Sequence, residues 1–372
     1  MKHSIRTDIV STMDTIHFTE SEKEAMVQKL MNYGHQPVRK FHSRRLICLA
    51  AAAVMLVAML TGAALFTRWS DSMSAHYNAD EEQRQYAETI GLTKEARDLV
   101  SVSDQGITVT AVQTIVDAYR AKLVFRIDGL SLAEGAAPAL EGGVRSIGGL
   151  TEGVWDMQTG GFFTGTKRGP NNTTVYADGT PIQTDAEGNL IFRYADSNGS
   201  LEYEIDLHFD QPGFHLGKEI EVGFSGFGVS DGQAENDLSV TGDWTLSWIL
   251  EGTEKTIHAS PNLAIGTTGH LLREAEVTPL TLRAVIRTED YFRGWERLEY
   301  FSPALAGVQL KDGSIHLCAM PSQEGYLDAE NLLYEIEVRS EEILDVEQIT
   351  GLVFLERSLN GSEPLQHIVP VV

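Results

Sequence analysis

Residues 106–128 read GITVTAVQTIVDAYRAKLVFRID, and this stretch decides the fold. Apolar and polar residues alternate in Gly106–Gln113 and again in Lys122–Asp128. This two-residue period is typical of strands that bury one face. The intervening residues Val116–Ala121 are interpreted as a turn. The stretch therefore predicts an antiparallel β-hairpin.

The same pattern recurs along the rest of the chain, with Gly- and Asn-rich turns between the runs. Further predicted strands are Leu201–Phe209, Glu219–Phe224, Trp244–Leu250, Leu280–Arg287, Gly307–Leu310, Ile315–Ala319 and Leu333–Val338. Many short strands with few helical patterns predict a mainly β fold built from antiparallel sandwiches. We expect two such domains, over residues 101–255 and 256–372, separated at the charged turn Glu251–Thr256. The Gly-rich segment Leu130–Gly188 is interpreted as an insertion on the first domain.

A long apolar run precedes the strands. Leu46–Phe66 contains 21 consecutive residues without a charge, and about 20 residues of helix cross a bilayer. Residues 1–45 carry 8 Lys and Arg against 5 Asp and Glu, whereas residues 67–372 carry 21 against 48. The run therefore predicts a single-pass transmembrane helix at residues 46–66, with the N-terminus in the cytoplasm and the C-terminal domains outside the cell membrane. A cleaved signal peptide is the competing interpretation, disfavoured because 45 residues precede the run.

Both flanks of the run have a clear composition. Arg39, Lys40, Arg44 and Arg45 form a basic cluster that we interpret as the topology anchor at the lipid headgroups. Residues 67–100 are mostly polar, contain no Pro and predict a stalk with one or two short helices.

The inner segment, residues 1–45, predicts two short helices. Ile5, Ile9, Met13 and Ile16 recur at helical spacing, and Thr19–Glu22 has the form of a capping box that begins a second helix. The candidate partner-binding residues are Ile9, Met13, Ile16, Met26, Val27, Leu30 and Met31. Isolated helices of this length are marginal in water, so we expect them to fold on a partner. A disordered cytoplasmic tail is the alternative.

Several segments together resemble a family of domain-of-unknown-function membrane proteins of Gram-positive bacteria that are similar to anti-sigma factors. The resemblance is carried by Met13–Ile16 before the capped helix, the basic cluster, the single span and the stretch Gly106–Phe125. Gly242–Leu246 and Val277–Leu282 are similar to the immunoglobulin-like C-terminal domain that accompanies this family. The resemblance implies a membrane-anchored regulator of an extracytoplasmic-function sigma factor, without catalytic residues.

The sequence lacks the common catalytic and metal-binding motifs. It contains no His-Glu-x-x-His, Gly-x-Ser-x-Gly, Walker or Cys-x-x-Cys motif, and its 11 His are scattered. We therefore expect no enzyme, no cofactor and no metal site, and interpret Asp185–Asn189 as a turn instead of a calcium loop. Cys48 in the predicted span and Cys318 outside it cannot form a disulfide. The net charge of −24 disfavours nucleic acid as a partner of the outer part.

Two function classes remain open. In the first, the outer β domains sense an envelope signal, either an extracellular ligand or a wall component, and the inner helices bind a sigma factor. In the second, the chain is a surface-anchored binding or structural protein without a sigma-factor partner. The capped, Met-rich inner helix favours the first, because an anchor needs only basic residues.

Overall fold

A computed structural model describes residues 69–95, 100–133, 136–151, 155, 157–169, 173–230, 237–289, 303–318, 323–356 and 364–371. The inner segment, the basic cluster and the predicted span at residues 46–66 lie outside these residues. Within the described part, no helix has the length and apolar character needed to cross a bilayer.

The described part is mainly β, as the sequence predicts, with two α-helices at its N-terminal end. The helices are α1 (Asp71–Tyr77) and α2 (Glu81–Thr89). The strands are β1 (Thr93–Glu95), β2 (Ser101–Asp104), β3 (Ile107–Val116), β4 (Arg120–Asp128), β5 (Ala137–Ile147), β6 (Met157–Phe162), β7 (Thr166–Arg168), β8 (Thr174–Tyr176), β9 (Leu201–His208), β10 (Glu219–Ser230), β11 (Asp237–Ile249), β12 (Ile257–Ala259), β13 (Leu263–Ala264), β14 (Leu271–Val277), β15 (Thr281–Arg287), β16 (Ala304–Leu310), β17 (Ile315–Leu317), β18 (Gln323–Asp328), β19 (Leu333–Arg339), β20 (Ile349–Glu356) and β21 (Leu365–Pro370).

The strands form antiparallel sheets that enclose two separate cores. Sheet A has the order β1-β3-β4-β9-β6, with β2 also on β3, and sheet B has the order β11-β10-β5. Between them lies the first core, which includes Phe125, Phe224 and Trp244. Sheet C has the order β12-β14-β15-β19-β18, with β13 on β14, and sheet D has the order β17-β16-β20-β21. The second core lies between C and D and includes Ile286, Ile336 and Phe354.

The predicted hairpin is present as β3 and β4, and both strands are longer than the sequence suggests. A register shift between Ala111 and Gln113 makes Val112 a β-bulge. Ile107 and Ala111, before the bulge, belong to the first core, whereas Ile115, beyond it, packs beneath the helices. The bulge thus gives one strand two apolar faces, each covered by a different layer.

The Gly-rich segment 130–188 supplies strands to both sheets of the first pair. β5 pairs with β10 at the edge of sheet B, and β6 pairs with β9 at the edge of sheet A. Gly142 has φ of +143°, and a Cβ there would lie 2.3 Å from the Gly223 carbonyl oxygen. Glycine is therefore required where β5 approaches β10 closely. Its strands β5 and β6 thus belong to the sandwich sheets, and the interpretation of the whole segment as an insertion stays a prediction.

The two helices of the predicted stalk segment pack against the β sheets. They share a third core with residues of both sheet pairs. Met73 and Tyr77 of α1 lie in it with Val124 of sheet A and Leu280 and Ile343 of the second pair, all buried. Ser70 caps α1 by accepting a hydrogen bond from the Met73 N–H, and Asp80 and Gln83 form a capping box on α2. Both helices are thus packed onto the β sheets.

Candidate functional site

The residues predicted from sequence to bind a partner or anchor the topology all lie outside the described part of the chain. They are Ile9, Met13, Ile16, Met26, Val27, Leu30, Met31, Arg39, Lys40, Arg44 and Arg45. Their role as a partner-binding surface and topology anchor therefore stays a prediction. The described residues form a different candidate site, which the sequence does not predict.

The candidate site is a cleft of about 1090 Å³ on the outer face of sheet A, opposite the first core. Its floor consists of polar side chains of β4 and β9. Leu123 and Ile205 point into the first core, so their neighbours Lys122, Glu204 and Asp206 point the other way. We call this space the sheet A cleft.

The three charged floor residues belong to two ion pairs. Lys122 Nζ lies 2.6 Å from Glu204 Oε2, and Arg120 pairs with Asp206 beside it at 2.5 Å. Both cations are about 95% buried. Burial opposes ionisation of Asp206, but the charge and hydrogen bonds of Arg120 and the charge of Lys122 outweigh it and lower the pKa of this carboxyl. Each cation at the floor thus has a carboxylate partner.

Helix α1 forms one wall of the cleft. Ser72, His76 and Asn78 line it, while Met73 on another side of the helix is fully buried. The Glu202 carboxylate fixes the start of the helix by accepting hydrogen bonds from the Asp71 and Ser72 N–H groups, at 3.2 and 2.7 Å. A carboxylate at this end also complements the helix dipole.

Tyr77 is an unusual member of the same wall. It lines the cleft and is fully buried, and its hydroxyl has no hydrogen-bond partner among the described residues. Burial raises the pKa of this phenol above its ordinary value, so it is a neutral donor. A buried hydroxyl without a partner is uncommon in native structures.

The opposite wall comes from the end of β6 and the β7–β8 hairpin. Gly160, Gly161 and Phe163 line it, followed by the threonines of the hairpin. The chain turns from β6 into β7 at Gly165, where φ is +68° and a Cβ would lie 2.3 Å from the Arg193 carbonyl oxygen, so only glycine fits. Strand β6 is an edge of sheet A, which leaves this wall open to solvent.

The second sheet pair closes the cleft at one side. Glu341 and Glu342, which follow β19, both line it. Arg168 of β7 forms an ion pair with Glu341 across the opening. Both side chains are about half exposed, so this contact contributes little to stability. The cleft therefore has walls from α1, the first sheet pair and the second.

Asp117 lies where the two sheet pairs meet. Its Oδ1 accepts hydrogen bonds from the Tyr119 and Arg120 N–H groups, both at 2.9 Å. Its Oδ2 accepts from the Thr278 hydroxyl and from the Leu280 N–H. Burial raises the pKa of Asp117 to about 6, against the opposing effect of these four donors. One carboxylate thus ties the β3–β4 turn to the β14–β15 turn.

His215 supports this junction from the other side. Its ring stacks on Phe209 at 3.7 Å between centroids, and its Nε2 lies 2.8 Å from the Asp117 carbonyl oxygen. Burial lowers the pKa of His215 to about 4, so the ring is neutral and Nε2–H donates to that carbonyl. His215 thus adds one hydrogen bond and one ring contact beside the Asp117 turn.

The arrangement suits binding. Among the described residues, no group of three or more His, Cys, Asp or Glu side chains could hold a metal ion. In the sheet A cleft, each carboxylate of the floor forms an ion pair with a cation. Within the part of the chain that the structure describes, neither carboxylate hydrogen bonds to a hydroxyl or thiol that it could activate as a base. Its chemistry is that of a polar recognition surface with one buried, unpartnered donor.

Comparison with known proteins gives one similar structure. No protein-family model and no curated protein match the chain. A crystal structure of the conserved domain protein from Bacillus anthracis is similar at 11% sequence identity and a TM-score of 0.44. The match covers 77% of this chain and 87% of that one.

Proposed function

We propose that the chain is a membrane-anchored, non-catalytic regulator similar to anti-sigma factors. Its outer β part senses an envelope signal at the sheet A cleft, and its inner helices bind an extracytoplasmic-function sigma factor. The observation that carries this proposal is the double role of α1. The helix lines the cleft and belongs to a core shared with both sheet pairs.

The position of α1 in the chain supports the coupling of an outer signal to the membrane. Asp71, its first residue, follows the end of the predicted span at Phe66 by five positions. A ligand that contacts Ser72 or Asn78 therefore acts on the described helix nearest to the span in sequence. Such a ligand shifts the equilibrium between two states of α1 only by its difference in affinity for them.

The inner side of the proposal rests on the sequence. A single span at residues 46–66 with Arg39, Lys40, Arg44 and Arg45 on its inner flank leaves residues 1–45 in the cytoplasm. The apolar stripe of Met26, Val27, Leu30 and Met31 then faces a cytoplasmic partner, and an amphipathic helix in a groove is a common way to bind one.

The outer part can be divided into two domains. We infer that the two sheet pairs are immunoglobulin-like domains divided at Glu251–Thr256. This division is supported by the distribution of the cores, because Leu250 belongs to the first and Ile257 packs against the second.

Co-purification tests the sigma-factor partner. The full-length protein is extracted from native membranes, and retained proteins are identified by mass spectrometry. We expect a sigma factor with the wild type and none with Met26→Asp combined with Leu30→Asp, because two carboxylates would be buried in the apolar interface.

Gln28→Asp combined with Asn32→Asp is the matched control. It adds the same two charges at the same spacing, two positions along the helix and away from the stripe. The control should keep the sigma factor. Absence of any sigma factor from the wild type would favour the surface-anchored binding protein instead.

A further inference from the structure

We propose that the sheet A cleft binds an uncharged, hydroxyl-rich ligand, specifically a neutral oligosaccharide. This inference deepens the proposed function by naming the class of signal, and its role in signalling rests on that function. Binding itself can be measured independently of the cytoplasmic partner.

The charge of the floor favours a neutral ligand. Lys122 is paired with Glu204, and Arg120 with Asp206, in close contacts on a largely buried surface. A charged group of a ligand placed against this floor would have to separate one of these pairs and leave the released partner buried without a counter-ion, which is strongly unfavourable. Neutral hydroxyl groups can hydrogen bond to the free lone pairs of the carboxylates and leave both pairs intact.

The walls supply groups that match a polyol. Ser and Thr hydroxyl groups line the cleft beside charged side chains such as Lys167, and each hydroxyl can both donate and accept a hydrogen bond. The hydroxyl groups belong to Ser72, Thr159, Thr164, Thr166, Thr173 and Thr174. Phe163, half-buried in the same cleft, offers an apolar surface to the C–H face of a sugar ring.

Tyr77 gives independent support. The residue lines the cleft, and its buried hydroxyl has no hydrogen-bond partner among the described residues. The neutral phenol can donate a hydrogen bond to a hydroxyl oxygen of the ligand. The ligand would then provide a partner for a group that has none within the described residues. The cleft volume of about 1090 Å³ is at the upper end of ordinary ligand sites, which suits an oligomer better than a single sugar.

Gly161 provides a way to fill the cleft without disturbing the fold. No heavy atom lies within 4 Å of the position that a Cβ would take there, and its φ is not in the left-handed region. By contrast, a Cβ at the neighbouring Gly160 would lie 2.2 Å from the Tyr203 hydroxyl. Gly161→Leu should therefore occupy the ligand volume, and Gly325→Leu is the matched control, since Gly325 is equally open in β18, an edge strand of sheet C.

The experiment uses the full-length protein in lipid nanodiscs, because sugar-based detergents would compete. It is applied to an array of neutral oligosaccharides of glucose, galactose, mannose and N-acetylglucosamine, together with acidic oligosaccharides and extended peptides. We expect retention on at least one neutral oligosaccharide, a dissociation constant at least tenfold higher with Gly161→Leu, and no change with Gly325→Leu.

Tyr77→Phe is the finer variant. It removes only an unpartnered hydroxyl, so the ligand-free protein should be as stable as the wild type while affinity for the retained oligosaccharide falls about tenfold. Binding to no neutral oligosaccharide, preference for an acidic one or for a peptide, or equal binding by Gly161→Leu would overturn the inference.

The outcome is separable from that of the sigma-factor test. Met26→Asp with Leu30→Asp should bind the oligosaccharide normally, because those residues lie on the predicted cytoplasmic side. Loss of glycan binding with sigma-factor capture intact would refute the ligand class alone. Glycan binding without sigma-factor capture would refute the regulator and leave the site.

Discussion

His208 Nε2 and Glu337 Oε2 lie 2.7 Å apart and join β9 of the first sheet pair to β19 of the second. Their side chains are only 3% and 6% exposed. Together with the Asp117–Thr278 contact, this pair shows that the junction between the sheet pairs includes buried polar contacts beside the apolar third core. Such contacts need accurate geometry, so they hold the pairs in one arrangement.

Breaking this pair should be costly. His208→Leu removes a close partner of the buried Glu337 carboxylate and leaves Arg339 at 3.5 Å from it. We expect a loss of about 2–3 kcal/mol in the free energy of unfolding. Urea denaturation of the full-length protein measures it. The exposed pair His316–Glu342 at 3.5 Å is the control, and His316→Leu should cost less than about 1 kcal/mol. Equal costs for the two variants would contradict a structural role for His208.

The Asp117–Thr278 contact can be tested with two neighbouring threonines. Thr278→Val removes a donor to a buried carboxylate and should destabilise the protein by about 2–3 kcal/mol. Thr281 is also buried, but its hydroxyl has no partner among the described residues. Thr281→Val should therefore be neutral or slightly stabilising in the same denaturation experiment. The reverse order of stability would rule out the described hydrogen bonds.

Asp117 should make stability depend on pH. Because burial raises its pKa to about 6 in the folded state, the folded protein binds its proton more tightly than the unfolded chain. The resulting stabilisation is complete below about pH 4 and is lost as the pH rises through 6. The wild type minus Asp117→Asn difference in unfolding free energy should fall by about 2 kcal/mol between pH 4.5 and 7.5.

Subtracting the unfolding free energy of Asp117→Asn from that of the wild type cancels the titration of the other groups at the junction. Among these groups is His215, whose effect on stability has the opposite pH dependence to that of Asp117. The lowered pKa of His215 means that its contribution is lost as the pH falls. A difference that rises with pH would show that the four donors to Asp117 outweigh its burial.

The sequence predicts the strands that bury one face. The β3–β4 hairpin and β9 alternate regularly, and their residues line the first core. Strand β20 was missed because its central run, Leu352–Phe354, is continuously apolar and lacks the two-residue period. Strands β5 and β6 were missed because glycines at close approaches weaken the hydrophobic pattern.

The sheet A cleft could not be predicted from the sequence. Lys122, Glu204 and Asp206 have the spacing of an ordinary solvated strand face. The walls that turn this face into a cleft come from Ser72–Asn78 and from Glu341, which are far apart in the chain. Only the tertiary arrangement joins them. The opposite charges at Lys122 and Asp206, which are register partners, were the available signal.

The most direct test of the central claim asks whether the outer helix α1 controls the cytoplasmic partner. Met73 is fully buried in the third core, so Met73→Asp should displace α1 without changing the inner segment. Transcripts are compared by RNA sequencing between wild-type cells, this variant and Met26→Asp with Leu30→Asp, with immunoblots showing equal amounts of full-length protein. The account predicts that both variants induce the same set of genes. Induction by the inner double variant alone, with Met73→Asp at the wild-type level, would contradict it.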